Sequence, residues 1–375
     1  MVKRIMKKAS YKLSDDVKIG VIGLGLIGGS LAKAYKARTG KPLYIAVDRN
    51  IDSLRSALGS GCVKRTSTDV SDVSDCDIVF ICVPVSNTVD VLDSLHSFYK
   101  GVVTDTTSTK SSIYRHVAEN CPGMRFIGGH PMAGSDKTGF NAASDGLFEN
   151  APYIICESKE LKSLSEDLEM LETIVEQIGA VAFKMDAKEH DRTVGLVSHL
   201  PHVVAYALVD TLNRTDDERL RTIAAGGFKD ITRIVSSDPV LWADILSDSG
   251  QTILKLIEEY SVSLHRIAEL IADRNKEQMT AVFSESKTLR DSLTMPGHEG
   301  KEYVQIWVDI DDRPGMIATA ANIFAEAGIN IRNISIQDSR EYEGGSLRVT
   351  VLSVKDAEIG ADLLRDIGLS VRVVR

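Results

Sequence analysis

The sequence predicts an α/β Rossmann-type doubly wound sheet, then an all-α domain, then a ferredoxin-like α+β domain. Three observations carry this. Short β-rich runs alternate with helical stretches from Lys18 to about Asp186. Leu, Ile and Val then recur at three- and four-residue spacings as far as about Arg290, with no strand pattern between them. The final roughly 75 residues read strand-helix-strand-strand-helix-strand, a split βαβ arrangement.

Taken in order, residues 1–16 are expected to form a flexible tail. MVKRIMKKASYK is basic and has no apolar stretch of the kind a secretory signal needs. The runs KIGVIG, LYIAVD (43–48), DIVFICVP (77–84), GVVTD (101–105), RFIGGHP (125–131) and PYIICE (152–157) are continuously apolar, as strands buried on both faces are, so 17–185 is assigned to the sheet domain. Residues 186–293 form the helical domain. Asp186 followed by Glu189 suits a capping box at its start, and Pro201 is expected to kink its first helix by removing a donor and crowding the Val197 carbonyl. TMPGHEGKE is a Pro/Gly/charged linker, 294–302, and 303–375 is the last domain.

Composition narrows the function. At 375 residues and 43% hydrophobic, the chain can bury several cores. With 44 Lys plus Arg against 53 Asp plus Glu, a net charge of -9 repels a phosphate backbone, so no nucleic-acid partner is expected. No apolar run reaches the ~20 residues of a membrane span, so no membrane role is expected. The five cysteines are an odd number without a C-x-x-C, which suits a reducing, cytoplasmic setting.

The most specific local pattern is Gly23-Leu24-Gly25-Leu26-Ile27-Gly28, between strand KIGVI and a helix, with Asp48 ending the next strand 20 residues past Gly28. Glycines there make a tight turn and admit a pyrophosphate to the helix N-terminus. Asp48 would accept hydrogen bonds from the adenosine ribose and repel a 2′-phosphate, which selects NAD, although Arg49 could pair with such a phosphate. In an open α/β sheet, ligands collect at the carboxyl ends of the strands. Val83, Pro84, Asp105, the TDTTSTK loop with Ser108 and Lys110, and His130 all lie there. A histidine beside a nicotinamide site is placed to exchange a proton. His199 and His202 share a helix face but have no third ligand at metal-binding spacing, so no metal is expected and a substrate pocket is the better reading. Asp230 and Arg233, three apart on an expected helix, are either a surface ion pair or a carboxylate fork oriented by Asp230, with Trp242 beyond the following turn.

Together, GLGLIGGS, the D-x-x-S-x-K loop at 105–110, GGHPMAGSDKTG, HDR at His190, SHLPH at 198–202 and D-x-T-R at 230–233 resemble the prephenate dehydrogenase family over residues 18–290. DDRPGMIATAANIFAEAGINI resembles the first half of an ACT domain. The resemblance implies an NAD-dependent oxidative decarboxylation of prephenate to 4-hydroxyphenylpyruvate in tyrosine synthesis. It implies that His130 accepts the ring-hydroxyl proton, that Ser108 orients His130 and touches the hydroxyl, and that Arg233 holds a carboxylate. By the same resemblance His190, His199, His202, Gly226 and Trp242 lie near the substrate, and Asp136 stands where many relatives have Glu. It also implies a homodimer through interlocked helices, or a tetramer through ACT pairing. Tyrosine is the implied effector, bound around Asp312, Pro314, Gly315, Met316, Ile317 and Asn330. An arogenate dehydrogenase and a non-catalytic NAD and amino-acid sensor are the alternatives. A dehydrogenase of the 6-phosphogluconate or 3-hydroxyisobutyrate type would want a catalytic Lys in the helical domain and lacks HPMAG and SHLPH.

Overall fold

The computed structural model describes residues 3–4, 13–14, 16–135, 137–158, 161, 164–215, 218–224, 226–293, 304–311, 313–337 and 345–374. The expected linker, Asp136 and Asp312 lie outside the described residues. The chain forms two compact units, Met1–Asp291 and Ser292–Arg375, so the sheet and the helical region that the sequence separates are packed as one body.

The first unit is built on nine strands: β1 (Lys3–Arg4), β2 (Ile19–Ile22), β3 (Leu43–Val47), β4 (Val63–Ser67), β5 (Ile78–Ile81), β6 (Val102–Asp105), β7 (Arg125–Pro131), β8 (Pro152–Glu157) and β9 (Val181–Asp186). Their order is β1-β9-β8-β7-β6-β5-β2-β3-β4. From β4 to β7 all neighbours are parallel, whereas β7 and β8 are antiparallel. Every residue of β2, β5 and β6 is buried, which is why these strands read as unbroken apolar runs. β4 escapes that reading because VKRTS is an edge strand with a single fully buried residue, Val63. Lys3 and Arg4 correct the expectation of a free tail at those two positions, since they pair antiparallel with Lys184 and Phe183.

Helices α1 (Leu26–Thr39), α2 (Ile51–Gly59), α3 (Val85–His96), α4 (Ser111–Asn120) and α5 (Ser165–Gln177) connect the strands. The order reverses at β2, which has β3 on one side and β5 on the other, so a crevice opens at the carboxyl ends of β2 and β5.

The helical region comprises α6 (Ala187–Val194), α7 (Leu200–Asn213), α8 (Glu218–Ile223), α9 (Gly226–Thr232), α10 (Pro239–Asp248), α11 (Gly250–Ala272) and α12 (Lys276–Ser292). Asp186 caps α6, its Oδ1 accepting the Glu189 N–H at 2.8 Å. The distortion assigned to Pro201 takes the form of a π-helical turn over Gly195–His199, closed by the Leu200 N–H on the Gly195 carbonyl. The wider turn absorbs the misfit that the missing proline donor would otherwise force on the helix. Ser86 donates to Asp244 at 2.9 Å and Ser112 to Asp248 at 2.6 Å, so two carboxylates of α10 hold the first turns of α3 and α4. No described helix is long and apolar enough to cross a membrane.

The second unit has strands β10 (Val304–Ile310), β11 (Asn333–Gln337), β12 (Gly345–Val351) and β13 (Ser370–Val374) in the order β11-β12-β10-β13, all antiparallel. Helices α13 (Met316–Glu326) and α14 (Val354–Asp366) supply Ala320, Phe324, Ala357, Ala361 and Leu364 to a core shared with Ile306, Val308, Leu347 and Val349. This is the ferredoxin-like arrangement the sequence predicts.

Candidate active site

The glycine turn is shaped by two close approaches. Gly23 has φ +97°, and a side chain there would meet the Cys82 carbonyl at 2.7 Å. A Cβ on Gly28 would lie 2.0 Å from the Gly23 carbonyl, so the turn folds back on its helix only with glycine at both places. Gly25, by contrast, has nothing within 4 Å of a would-be Cβ and faces open space at the N-terminus of α1. An open N–H-lined cradle of this kind fits a dinucleotide pyrophosphate. Leu24, Leu26 and Ile27 complete the turn. Asp48 directly follows β3, with one oxygen accepting the Leu24 N–H at 2.5 Å and the other the Asn50 N–H at 2.7 Å. Its remaining lone pairs are what a ribose could use. Arg49 and Pro84 are exposed, and Val83 is half-buried on the loop after β5.

Asp105 is corrected by the structure. It is fully buried, and its carboxylate is taken up by the Lys110 ammonium, the Thr107 hydroxyl, the Thr107 N–H at 3.1 Å and the Gly129 N–H at 3.1 Å. It ties the TDTTSTK loop to β7, with no exposed surface left to offer a ligand. Burial of a charged pair is tolerable here because each member is hydrogen-bonded as well as paired.

His130 stands near the carboxyl end of β7, 7% exposed. Its Nδ1 lies 2.8 Å from Nε2 of His190, which is fully buried on α6. His190 Nδ1 is in turn 2.8 Å from Asp191 Oδ1. Asp191 also accepts the Lys110 N–H at 2.8 Å and the Ser111 N–H at 2.9 Å, so it caps α4 from the helical region. Burial, reinforced by the charges of His190, Lys110 and His199, holds His130 well below the ordinary imidazole range. Burial also lowers His190, outweighing the Asp191 hydrogen bond. Ser108 is half-buried on the same loop, but among the described residues the group bonded to His130 is His190, not Ser108. The side chain within hydrogen-bond reach of His130 is thus one that the sequence marked only as near the substrate.

The π-turn and α7 present the remaining histidines. His199 is buried, its Nδ1 has no hydrogen-bond partner among the described residues, and burial pushes its pKa down to about 4. His202 donates from Nδ1 to the Ser198 carbonyl at 3.0 Å and stacks on Trp242 of α10. Among the described residues the His/Cys/carboxylate group close enough to share an ion is Asp93, His116 and Cys121, which includes neither of these histidines. Arg233 does not sit on a helix with Asp230. α9 ends at Thr232, Arg233 begins a 3-10 turn, both side chains are exposed, and no ion pair joins them among the described residues. The short helix runs out before the i,i+3 spacing can bring the two together. Gly226 opens α9 and is exposed.

In the second unit, Pro314, Gly315, Met316 and Ile317 line a shallow groove of about 640 Å³ with Arg313 and Ala318. Asn330 is exposed and lies outside its lining.

Sequence comparison matches residues 31–184 to the family model of the prephenate dehydrogenase nucleotide-binding domain, 186–285 to that of the prephenate dehydrogenase dimerization domain, and 305–368 to the ACT domain. The chain is 34% identical to a prephenate dehydrogenase of Bacillus subtilis over 342 residues, 89% of this chain and 92% of that one. Among solved structures, the prephenate dehydrogenase of A. aeolicus in complex with hydroxyphenyl propionate and NAD+ superposes with a TM-score of 0.70 at 33% identity. That match covers 76% of this chain and 100% of the other. A Synechocystis arogenate dehydrogenase gives 0.66 at 30% identity, covering 73% and 99%.

Proposed function

The chain belongs to the prephenate dehydrogenase family, and we propose that it is an NAD-dependent enzyme converting prephenate to 4-hydroxyphenylpyruvate and CO2 in tyrosine biosynthesis, with tyrosine as feedback inhibitor. The observation that carries this reading is a buried histidine, His130, kept uncharged at neutral pH at the same sheet edge as an open glycine cradle. An uncharged imidazole can take a proton, whereas an imidazolium cannot.

The residues divide the work as follows. Gly23 to Gly28 and the Leu24-bound Asp48 hold the dinucleotide, with Val83 and Pro84 on the neighbouring loop; a carboxylate at the ribose position disfavours a 2′-phosphate and so selects NAD. Bound NAD supplies the acceptor for the hydride that leaves C4 of the substrate ring. His130 takes the proton of the C4 hydroxyl, Ser108 contributes a second contact to that hydroxyl, and loss of the ring carboxylate as CO2 leaves an aromatic ring. The unpartnered Nδ1 of His199, with His202 and Trp242, offers a polar and aromatic wall for the side chain. Arg233 supplies a fork for a carboxylate. Gly226 and Asp136 belong to the same neighbourhood by resemblance.

Leu196, Val197, Ile223, Val240 and Val262 are each at least half exposed in the helical region. Apolar area of this extent suits burial in a homodimer. The groove at Pro314 to Ile317 is the effector site this reading expects. Arogenate is the second reading of the substrate, supported by the likeness to the Synechocystis enzyme.

The test is nicotinamide reduction by the purified chain with prephenate and arogenate offered separately, each with and without tyrosine. Turnover of prephenate with non-competitive inhibition by tyrosine is expected. Preference for arogenate would change the substrate and keep the chemistry. Absence of turnover with both would overturn the reading, and strictly competitive inhibition would move tyrosine to the active site.

A further inference from the structure

We propose that Asp191 and His190 are a positioning pair that fixes the tautomer of His130, placing the proton on Nδ1 and the basic lone pair on Nε2; the inference rests on the reading of His130 as the base. Asp191 sits on the N-terminus of α4, where the Lys110 and Ser111 N–H groups and the helix dipole stabilise an anion. An ionised carboxylate only accepts, so the nitrogen facing it 2.8 Å away, His190 Nδ1, must carry a proton.

His190 is buried and uncharged, so with Nδ1 protonated its Nε2 has only a lone pair. That lone pair is 2.8 Å from His130 Nδ1, which must therefore be the donor. His130, uncharged in turn, keeps its lone pair at Nε2. One fixed charge at a helix end thus sets three successive proton positions. The reverse order would require a protonated carboxyl at a helix N-terminus, against the dipole. Once His130 has taken a proton, the same chain stabilises the imidazolium through the acceptor nitrogen of His190 and the charge behind it. The other ionisable groups facing this line are Lys110, whose ammonium opposes a positive His130, its partner Asp105, whose charge favours a positive His190, and His199, which is itself uncharged at neutral pH.

The pair also explains why the helical region must dock on the sheet for the site to exist. Asp191 and His190 come from α6, whereas His130 and the capped helix belong to the sheet. Neither part alone holds the proton order.

The test separates positioning from folding. In full-length protein, nitrogen chemical shifts of labelled histidine should show wild-type His130 with Nδ1 protonated and Nε2 bare. His190→Leu, which offers no acceptor, should lower kcat about 10- to 100-fold while leaving NAD affinity and KM nearly unchanged, since only orientation of the base is lost. His190→Gln keeps an acceptor oxygen near the Nε2 position and should restore kcat to within about 5-fold of wild type. Circular dichroism of both variants guards against misfolding. A wild-type His130 protonated on Nε2, a Leu variant with wild-type kcat, or Leu and Gln variants equally impaired would each overturn the proposal. Wild type inert toward prephenate and arogenate would instead sink the functional reading, and the tautomer measurement would still decide the pair.

Discussion

The imidazole of His202 lies flat on the indole of Trp242, ring centroids 3.4 Å apart and planes 21° from parallel, while His199 meets the same indole edge-on at 5.9 Å. One tryptophan from α10 thereby holds two histidines of the π-turn and α7 at the candidate site. Truncating it removes both contacts and leaves a cavity. Trp242→Ala is expected to cost about 3 kcal/mol of stability and to raise KM for prephenate more than it lowers kcat. Thermal denaturation and steady-state kinetics check it; an unchanged KM would detach the histidine wall from substrate binding.

The glycine turn allows two substitutions to be told apart. Gly25 has φ -78° and free space around it, so Gly25→Ala should fold normally yet weaken NAD binding, because the added methyl fills the cradle. Gly28→Ala drives a methyl into the Gly23 carbonyl and should lower the melting temperature as well. Calorimetric titration with NAD beside melting curves tests both, and equal NAD affinity in Gly25→Ala and wild type would remove the cradle from cofactor binding.

The pair of Asp105 and Lys110 is fully buried. Asp105→Ala leaves the buried ammonium with the Thr107 hydroxyl but no counter-ion, and takes the acceptor from the Gly129 N–H. A loss on the order of 3–5 kcal/mol is expected, the range seen when one member of a buried pair is removed. Denaturant unfolding measures it, and a loss below about 1 kcal/mol would show that the loop finds another arrangement.

Acid should destabilise the native state through its histidines. His130, His190 and His199 all have folded pKa values below the ordinary 6.5, with His199 at about 4. Below 6.5 the unfolded chain therefore binds protons that the native chain does not. The stabilisation is fully present above 6.5 and is lost as pH falls toward 4, at up to about 1.4 kcal/mol per pH unit for each histidine. Melting temperatures measured from pH 7.5 down to pH 5 should fall, and less steeply in His199→Phe. A flat profile would contradict the buried, uncharged state of these rings.

Much of this molecule is written in local pattern. The apolar runs of β2, β5 and β6 announce strands because both faces are covered, and the glycine turn with Asp48 at the next strand end announces a dinucleotide crevice from spacing alone. The second unit is equally legible, since its element order in a short chain admits few topologies. Edge strand β4 was not, because an edge strand needs only one buried residue and so carries no alternation to detect.

Other features depend on residues far apart in sequence. Asp105 reads as a strand-end residue facing a ligand, and only the turn of the TDTTSTK loop brings Lys110 under it. Arg233 reads as an i,i+3 partner of Asp230, but whether a helix continues past Thr232 depends on how α9 packs, not on the spacing. Asp191 carries no signal beyond its place in HDR, because its partners, Lys110 and Ser111, stand 80 or so residues away. Sequence by itself determined the classes of fold and singled out the glycine turn and His130 as candidates, since these follow from short-range periodicity and spacing. Only the tertiary structure decided what surrounds that base, because hydrogen-bond order and burial arise when α6 docks against the sheet.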